Sequence, residues 1–158
     1  MNNVMLAKDS ISAALAECYV TIGERRYNLM TAIKLEANFK KNKAKVPTLG
    51  KTGKGNKSVS WEGTGSCTLH YNTSIFRKMM LDFKETGEDV YFEIQITNDD
   101  PSSAAGSQTI TLLQCNIDSG VLAKFDASSD SYLEEDVSFT FDDFDMPKEF
   151  QEIIGLAA

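Results

Sequence analysis

Two long alternating stretches, Leu29 to Phe39 and Val59 to Tyr71, constrain this chain more than any other feature. In the first, Leu29, Ile33, Leu35, Ala37 and Phe39 share one parity and Lys34, Glu36, Asn38 and Lys40 the other. In the second, Val59, Trp61, Cys67, Leu69 and Tyr71 alternate with Ser58, Ser60, Glu62, Thr64, Ser66, Thr68 and His70. A strand sends successive side chains to opposite faces, so each stretch has one apolar and one polar face. The second is about twice the usual strand length. Long strands with a wide polar face suit a wall or scaffold better than a catalytic pocket.

The rest of the chain reads as more β structure and a single helix. Cys18 to Ile22, Val90 to Thr97, Thr109 to Ile117, Gly120 to Phe125 and Leu133 to Phe141 carry strand patterns. Residues 74–86 form the helix: Ser74 is placed to cap it, and Ile75, Phe76, Met79, Met80 and Phe83 recur at helical spacing. Gly87 supplies its stop. Residues 1–17 are predicted as a weakly helical or mobile arm, and Lys148 to Ala158 as a short helical tail. The expectation is one domain over 1–158, mainly antiparallel β with one helix, arranged as a sandwich or barrel.

Charge is segregated. Residues 41–57, predicted as one long loop, hold Lys41, Lys43, Lys45, Lys51, Lys54 and Lys57 and no acid. Residues 126–152 hold ten acids against Lys148 alone, so the net charge of -7 comes largely from one end. Opposite charges separated along one chain can steer copies of it together.

Sites for chemistry are sought and not found. Gly50 to Ser58 has the glycines and lysines of a phosphate-binding loop, but Asn56 stands where lysine is required and a strand follows where a helix is needed. Cys67 and His70, three apart on a strand, point to opposite faces and have no second pair to complete a metal site. Asp126, Ser128, Asp130 and Glu134 lack the glycine of a calcium loop. Cys18, Cys67 and Cys115 are an odd, scattered set and read as buried free thiols. No enzyme and no cofactor is expected. No apolar run approaches the roughly 20 residues of a membrane span, and Met1 to Leu6 lacks a signal-peptide pattern. The alternative is a nucleic-acid-binding β-barrel gripping phosphates with the lysine loop, although no aromatic lies between Phe39 and Trp61 for stacking.

Four segments together carry a resemblance. Leu35 to Lys43, Gly63 to Tyr71 running into the helix with Met79-Met80, Asp89 to Gln95, and Leu133 to Phe144 are similar, in order and spacing, to tail tube proteins of contractile phages and phage-like particles of Gram-positive bacteria. The resemblance covers about residues 20–150. It implies a structural subunit that forms hexameric rings stacked into a hollow tube. The tube's partners would be further copies, a sheath, baseplate and tape measure proteins, with DNA as passing cargo and no membrane anchor. Such a protein is made in the bacterial host cytoplasm and ends in a virion tail or phage-tail-like particle. In that frame Lys34, Glu36, Ser60, Glu62, Thr64, Ser66 and Thr68 would face the lumen. Lys43, Lys45, Lys51, Lys54 and Lys57 would reach a neighbouring subunit and meet Glu134, Glu135 and Asp136.

Overall fold

The structure is a computed structural model that describes residues 4–157. It holds eight strands and one α-helix among the described residues. The chain divides into two compact units, one drawn from residues up to Ala32, Tyr91–Cys115 and Asp143 onward, the other from Ile33–Val90 and Asn116–Asp142.

In the first unit, β1 (Ala16–Ile22) pairs antiparallel with β2 (Arg25–Asn28) through a two-residue turn, Gly23-Glu24. Gly23 sits at φ 61, the glycine-first pattern of a turn whose twist matches the strands it joins. β1 also pairs with β5 (Phe92–Asp99), and β5 with β6 (Ser107–Ser119). β8 (Asp143–Lys148) runs along the far side of β6. Between Phe92 and Ile94 the register on β6 jumps from Cys115 to Leu112, and Gln114 takes a positive φ of 52. This bulge resets the inward parity, so Leu112 and Cys115 are both buried although three residues apart. With Val20, Phe92 and Ile94 they are the unit's most buried side chains.

Residues 4–15 hold a 3-10 turn at Ala7–Asp9, and hydrogen bonds tie Asp9 and Ser12 to residues 100–104. The Asp9 carboxylate accepts from the Ala104 amide at 2.9 Å, and its carbonyl accepts from the Ser103 hydroxyl at 2.7 Å. Asp100 accepts from the Ser12 amide at 3.0 Å. Two buried acids thereby satisfy backbone donors of segments far apart in sequence. Residues 1–3 of the predicted arm lie outside the described residues.

In the second unit the strand order is β6-β7-β4-β3, with β3 Ala32–Val46, β4 Gly55–His70 and β7 Glu134–Phe141; β6 contributes from Asn116 onward. β4 and β7 pair over eight registered positions, Gly63↔Phe141 to His70↔Glu134. On one face lie Gly63, Cys67, Leu69, Glu135, Val137, Phe139 and Phe141, all buried. Here the glycines have a packing reason. A Cβ on Gly63 would lie 2.3 Å from the Phe141 ring, and one on Gly65 2.3 Å from the Phe139 ring. The rings occupy the space two side chains would need. The helix α1 (Ile75–Thr86) buries Phe76 and Met79. Gly87, left-handed at φ 73, closes it with its amide on the Phe83 carbonyl.

Several boundaries differ from expectation. The first long strand begins at Ala32, not Leu29, because Arg25–Asn28 forms the separate strand β2 and the Leu29 amide turns back to the Cys18 carbonyl. Ser74 stands at the helix N-cap but makes no side-chain cap hydrogen bond. Gly120 to Phe125 is loop, with Leu122 and Phe125 exposed: it has apolar residues but no strand beside it. Pro147 lies inside β8, at an edge strand's register break where its missing N–H costs nothing. Residues 149–157 are irregular, with a turn at Ile154-Gly155 and no helix.

Candidate functional site

The predicted loop 41–57 is largely strand. β3 continues to Val46 and β4 starts at Gly55, leaving a turn at 47–54. Lys43 and Lys45 are therefore on β3, Lys57 is on β4, and Lys51 and Lys54 are on the turn. Lysine, asparagine and alanine alternate along 40–46 with little apolar content, which hid the strand from sequence reading. Every residue from 43 to 60 is exposed. The two longest strands thus end in a hairpin arm that touches no core and carries five exposed lysines between Lys43 and Lys57, with Leu49 fully exposed at its turn.

Nearer the base of the arm the two faces are shared across strands. Phe39 stacks on Trp61 with ring centroids 5.0 Å apart, and on the opposite parity Asn42 donates to the Ser60 hydroxyl at 3.1 Å. Of the seven residues expected on a polar wall, Lys34, Glu36, Ser60, Glu62, Thr64 and Ser66 are exposed, and Thr68 is half-buried. The register brings three β7 residues onto the same face: Asp136 opposite Thr68, Ser138 opposite Ser66 and Thr140 opposite Thr64. The Thr68 hydroxyl donates to Asp136 at 2.7 Å. Strand pairing, which sequence alone does not give, was the missing information.

The apolar parity of β3 behaves differently. Ile33 (45%) and Phe39 (48%) remain exposed, as does Val46 (38%) on the other parity, and β3 has no strand on its outer side among the described residues. A long unpaired edge with exposed apolar side chains is a surface that pairs with another chain.

The three acids named as partners for the lysines separate. Glu135 is buried, at 2% exposure, and accepts from the Arg77 guanidinium, which also donates to the Thr73 carbonyl and lies 4.3 Å from the Tyr71 ring centroid. It faces the core because its parity matches Val137, so it is not available to an incoming lysine. Asp136 lies on the hydroxyl face. Glu134 is half-buried, its carbonyl accepting from Lys124 at 2.9 Å.

The remaining chemistry-bearing groups are accounted for locally. His70 packs against Tyr132, ring centroids 4.9 Å apart. Hydrogen bonds from the Ser128 side chain and amide hold the Asp126 carboxyl below its usual range. Cys67 and Cys115 are buried free thiols; Cys18 is half-buried, and burial pushes its thiol up to about 11. Among the described residues no group of three or more His, Cys, Asp or Glu side chains is placed to hold a metal.

An antiparallel β subunit with an exposed hydroxyl face, an open edge and a projecting arm is built for assembly. The comparisons with known proteins agree. The chain belongs to the phage tail tube protein family, whose pattern matches residues 3–148. It is 37% identical over 146 residues to the phage-like element PBSX protein XkdM of Bacillus subtilis, covering 92% of this chain and 96% of that one. A solved Bacillus subtilis protein is 34% identical with a TM-score of 0.50, covering 87% and 99% of the two chains. A chain of the sheath-tube complex of the extracellular contractile injection system PVC shares the fold at a TM-score of 0.66 and 10% identity, covering 89% and 93%. Hcp1 of Flavobacterium johnsoniae does so at 0.51 and 11%, covering 87% and 99%. The nucleic-acid-binding alternative finds no support in these relationships.

Proposed function

We propose that the protein is the wall subunit of the inner tube of a contractile phage tail or phage-tail-like particle, assembling as hexameric rings stacked around a lumen. The observation that carries the reading is the exposed hydroxyl face. Lys34 and Glu36 on β3, the alternate residues Ser60 to Thr68 on β4, and Asp136, Ser138 and Thr140 on β7 form a hydrated surface in which hydroxyls outnumber the fixed charges, one lysine and three acids. Short hydroxyls hold water and grip neither a phosphate backbone nor an apolar cargo, which is what a conduit wall requires. Pairing of the β3 edge with a neighbouring copy would satisfy its free backbone groups, and ring closure would repeat that pairing around the ring. The role is geometric, with no catalytic step. Sheath, baseplate and tape measure proteins are the further partners, synthesis is in the host cytoplasm, and DNA is at most cargo.

Negative-stain microscopy of the concentrated chain should reveal rings or tubes. A Ser66→Cys variant labelled with a heavy atom should then place density on the inner wall of the tube. Density on the outer wall would overturn the lumen assignment. The arm is assigned to contacts between subunits. Replacing 47–54 by Asn-Gly should leave a folded protein that no longer polymerises, and normal tubes from that variant would refute the assignment.

A further inference from the structure

We infer that the hairpin tip of one copy docks into an apolar groove formed by segments 4–9 and 153–157 of a second copy; the inference rests on the tube reading above and names the surface that receives the arm. The groove encloses about 680 Å³ and is lined by Met5, Leu6, Ala104, Ile153, Ile154 and Leu156 among others. Its apolar lining is open to water: Ile154 is 100% exposed, Leu156 73% and Met5 61%. An apolar concavity of this kind with a polar surround marks a docking surface.

The occupant is identified by complementarity. The segment leading to the groove carries Asp143, Asp145, Glu149 and Glu152, all exposed, against Lys148, with Lys8 on the groove itself. The hairpin tip has the inverse composition. Leu49, 104% exposed, and Val46 stand at the turn, with Lys43, Lys45, Lys51, Lys54 and Lys57 around them. An apolar tip with a cationic collar matches an apolar groove whose C-terminal wall directly follows this acidic segment, with Glu152 next to Ile153, so desolvation and charge favour the same partner. The acids of 134–136 are poorer receivers, since Glu135 is paired with Arg77 inside the protein and Asp136 holds Thr68. Tip and groove are different surfaces, so a one-way contact leaves each copy with a free tip or a free groove and can propagate from copy to copy. A stack of rings needs a contact of that type.

Two full-length variants, Leu49→Cys and Ile154→Cys, test this when mixed and treated with a short bismaleimide during assembly. Cys67 and Cys115 are buried and the half-buried Cys18 thiol is pushed up to about 11, so the native thiols give little background, and the wild-type chain supplies the control. A covalent dimer joined through positions 49 and 154, formed only in the mixture and rising with tube formation, is the expected result. Tubes without that linkage overturn the docking and leave the tube reading standing. No tubes from the wild-type chain at any concentration overturn the tube reading, and the docking with it. Leu49→Asp should cut the sedimenting fraction about tenfold at unchanged melting temperature; an unchanged fraction also overturns the docking.

Discussion

Gly63 and Gly65 show how a single missing atom sets the packing of the second unit. Each lies under a phenylalanine ring that a Cβ would meet at 2.3 Å. Phe139 and Phe141 are 2% and 5% exposed and have nowhere to move. Gly63→Ala or Gly65→Ala should therefore cost about 1–3 kcal/mol by overpacking, read from the urea midpoint. Glu135→Gln should cost more, about 3 kcal/mol, since it leaves the Arg77 charge without its buried partner. Cys18 makes a pH-dependent contribution. Its thiol has a folded value of about 11 against an ordinary 9.0, so the neutral form is favoured by folding. That stability is complete below pH 9 and lost as pH rises toward 11. The stability difference between wild type and Cys18→Ala should be flat below pH 9 and shift against wild type above it. The sequence pattern places Cys67 and Leu69 beside these glycines on the apolar parity of β4 but carries no sign of the ring-over-glycine contacts. It also missed the Arg77–Glu135 pair, because both depend on which strand or helix lies alongside.

At the scale of elements, alternation made β4 and β7 legible, since each buries one face and wets the other. It failed where that rule fails. β3 beyond Phe39 has neither face buried, so its lysines read as loop. β6 was legible as a strand over Thr109 to Ile117, but the bulge at Gln114 shifts which of its residues face inward, and β8 is an edge strand that contains a proline. The polar wall was half legible: Ser60 to Thr68 follow from parity alone, whereas Ser138 and Thr140 join them only through the register with β4. Ser66→Val should leave folding intact, because the side chain is exposed and faces no core. The change in melting temperature should stay within the small range of surface substitutions, under about 0.5 kcal/mol in stability.

At the scale of the whole molecule, charge separation predicts how assembly responds to salt. The lysine arm and the acids of 142–152 attract across a solvent-exposed contact, and the screening length falls from roughly 30 Å at 0.01 M to roughly 3 Å at 1 M salt. Tube yield, measured by sedimentation, should fall steeply over that range in the wild type. It should fall less in a Lys51→Gln, Lys54→Gln variant, whose starting yield is lower. The apolar part of the contact, through Leu49, is not screened by salt and sets the residual yield.

The arm from 43 to 60 also makes the chain a reporter of its own state. Its amides are protected only by each other, with no packed side chain to resist opening, so in the free subunit they should exchange with solvent deuterium far sooner than those shared by β4 and β7. Once the arm is held by another copy, that order should disappear. The exchange clock of a single peptide spanning 43–60 would then count free and assembled subunits without any label, and would time the passage from one to the other.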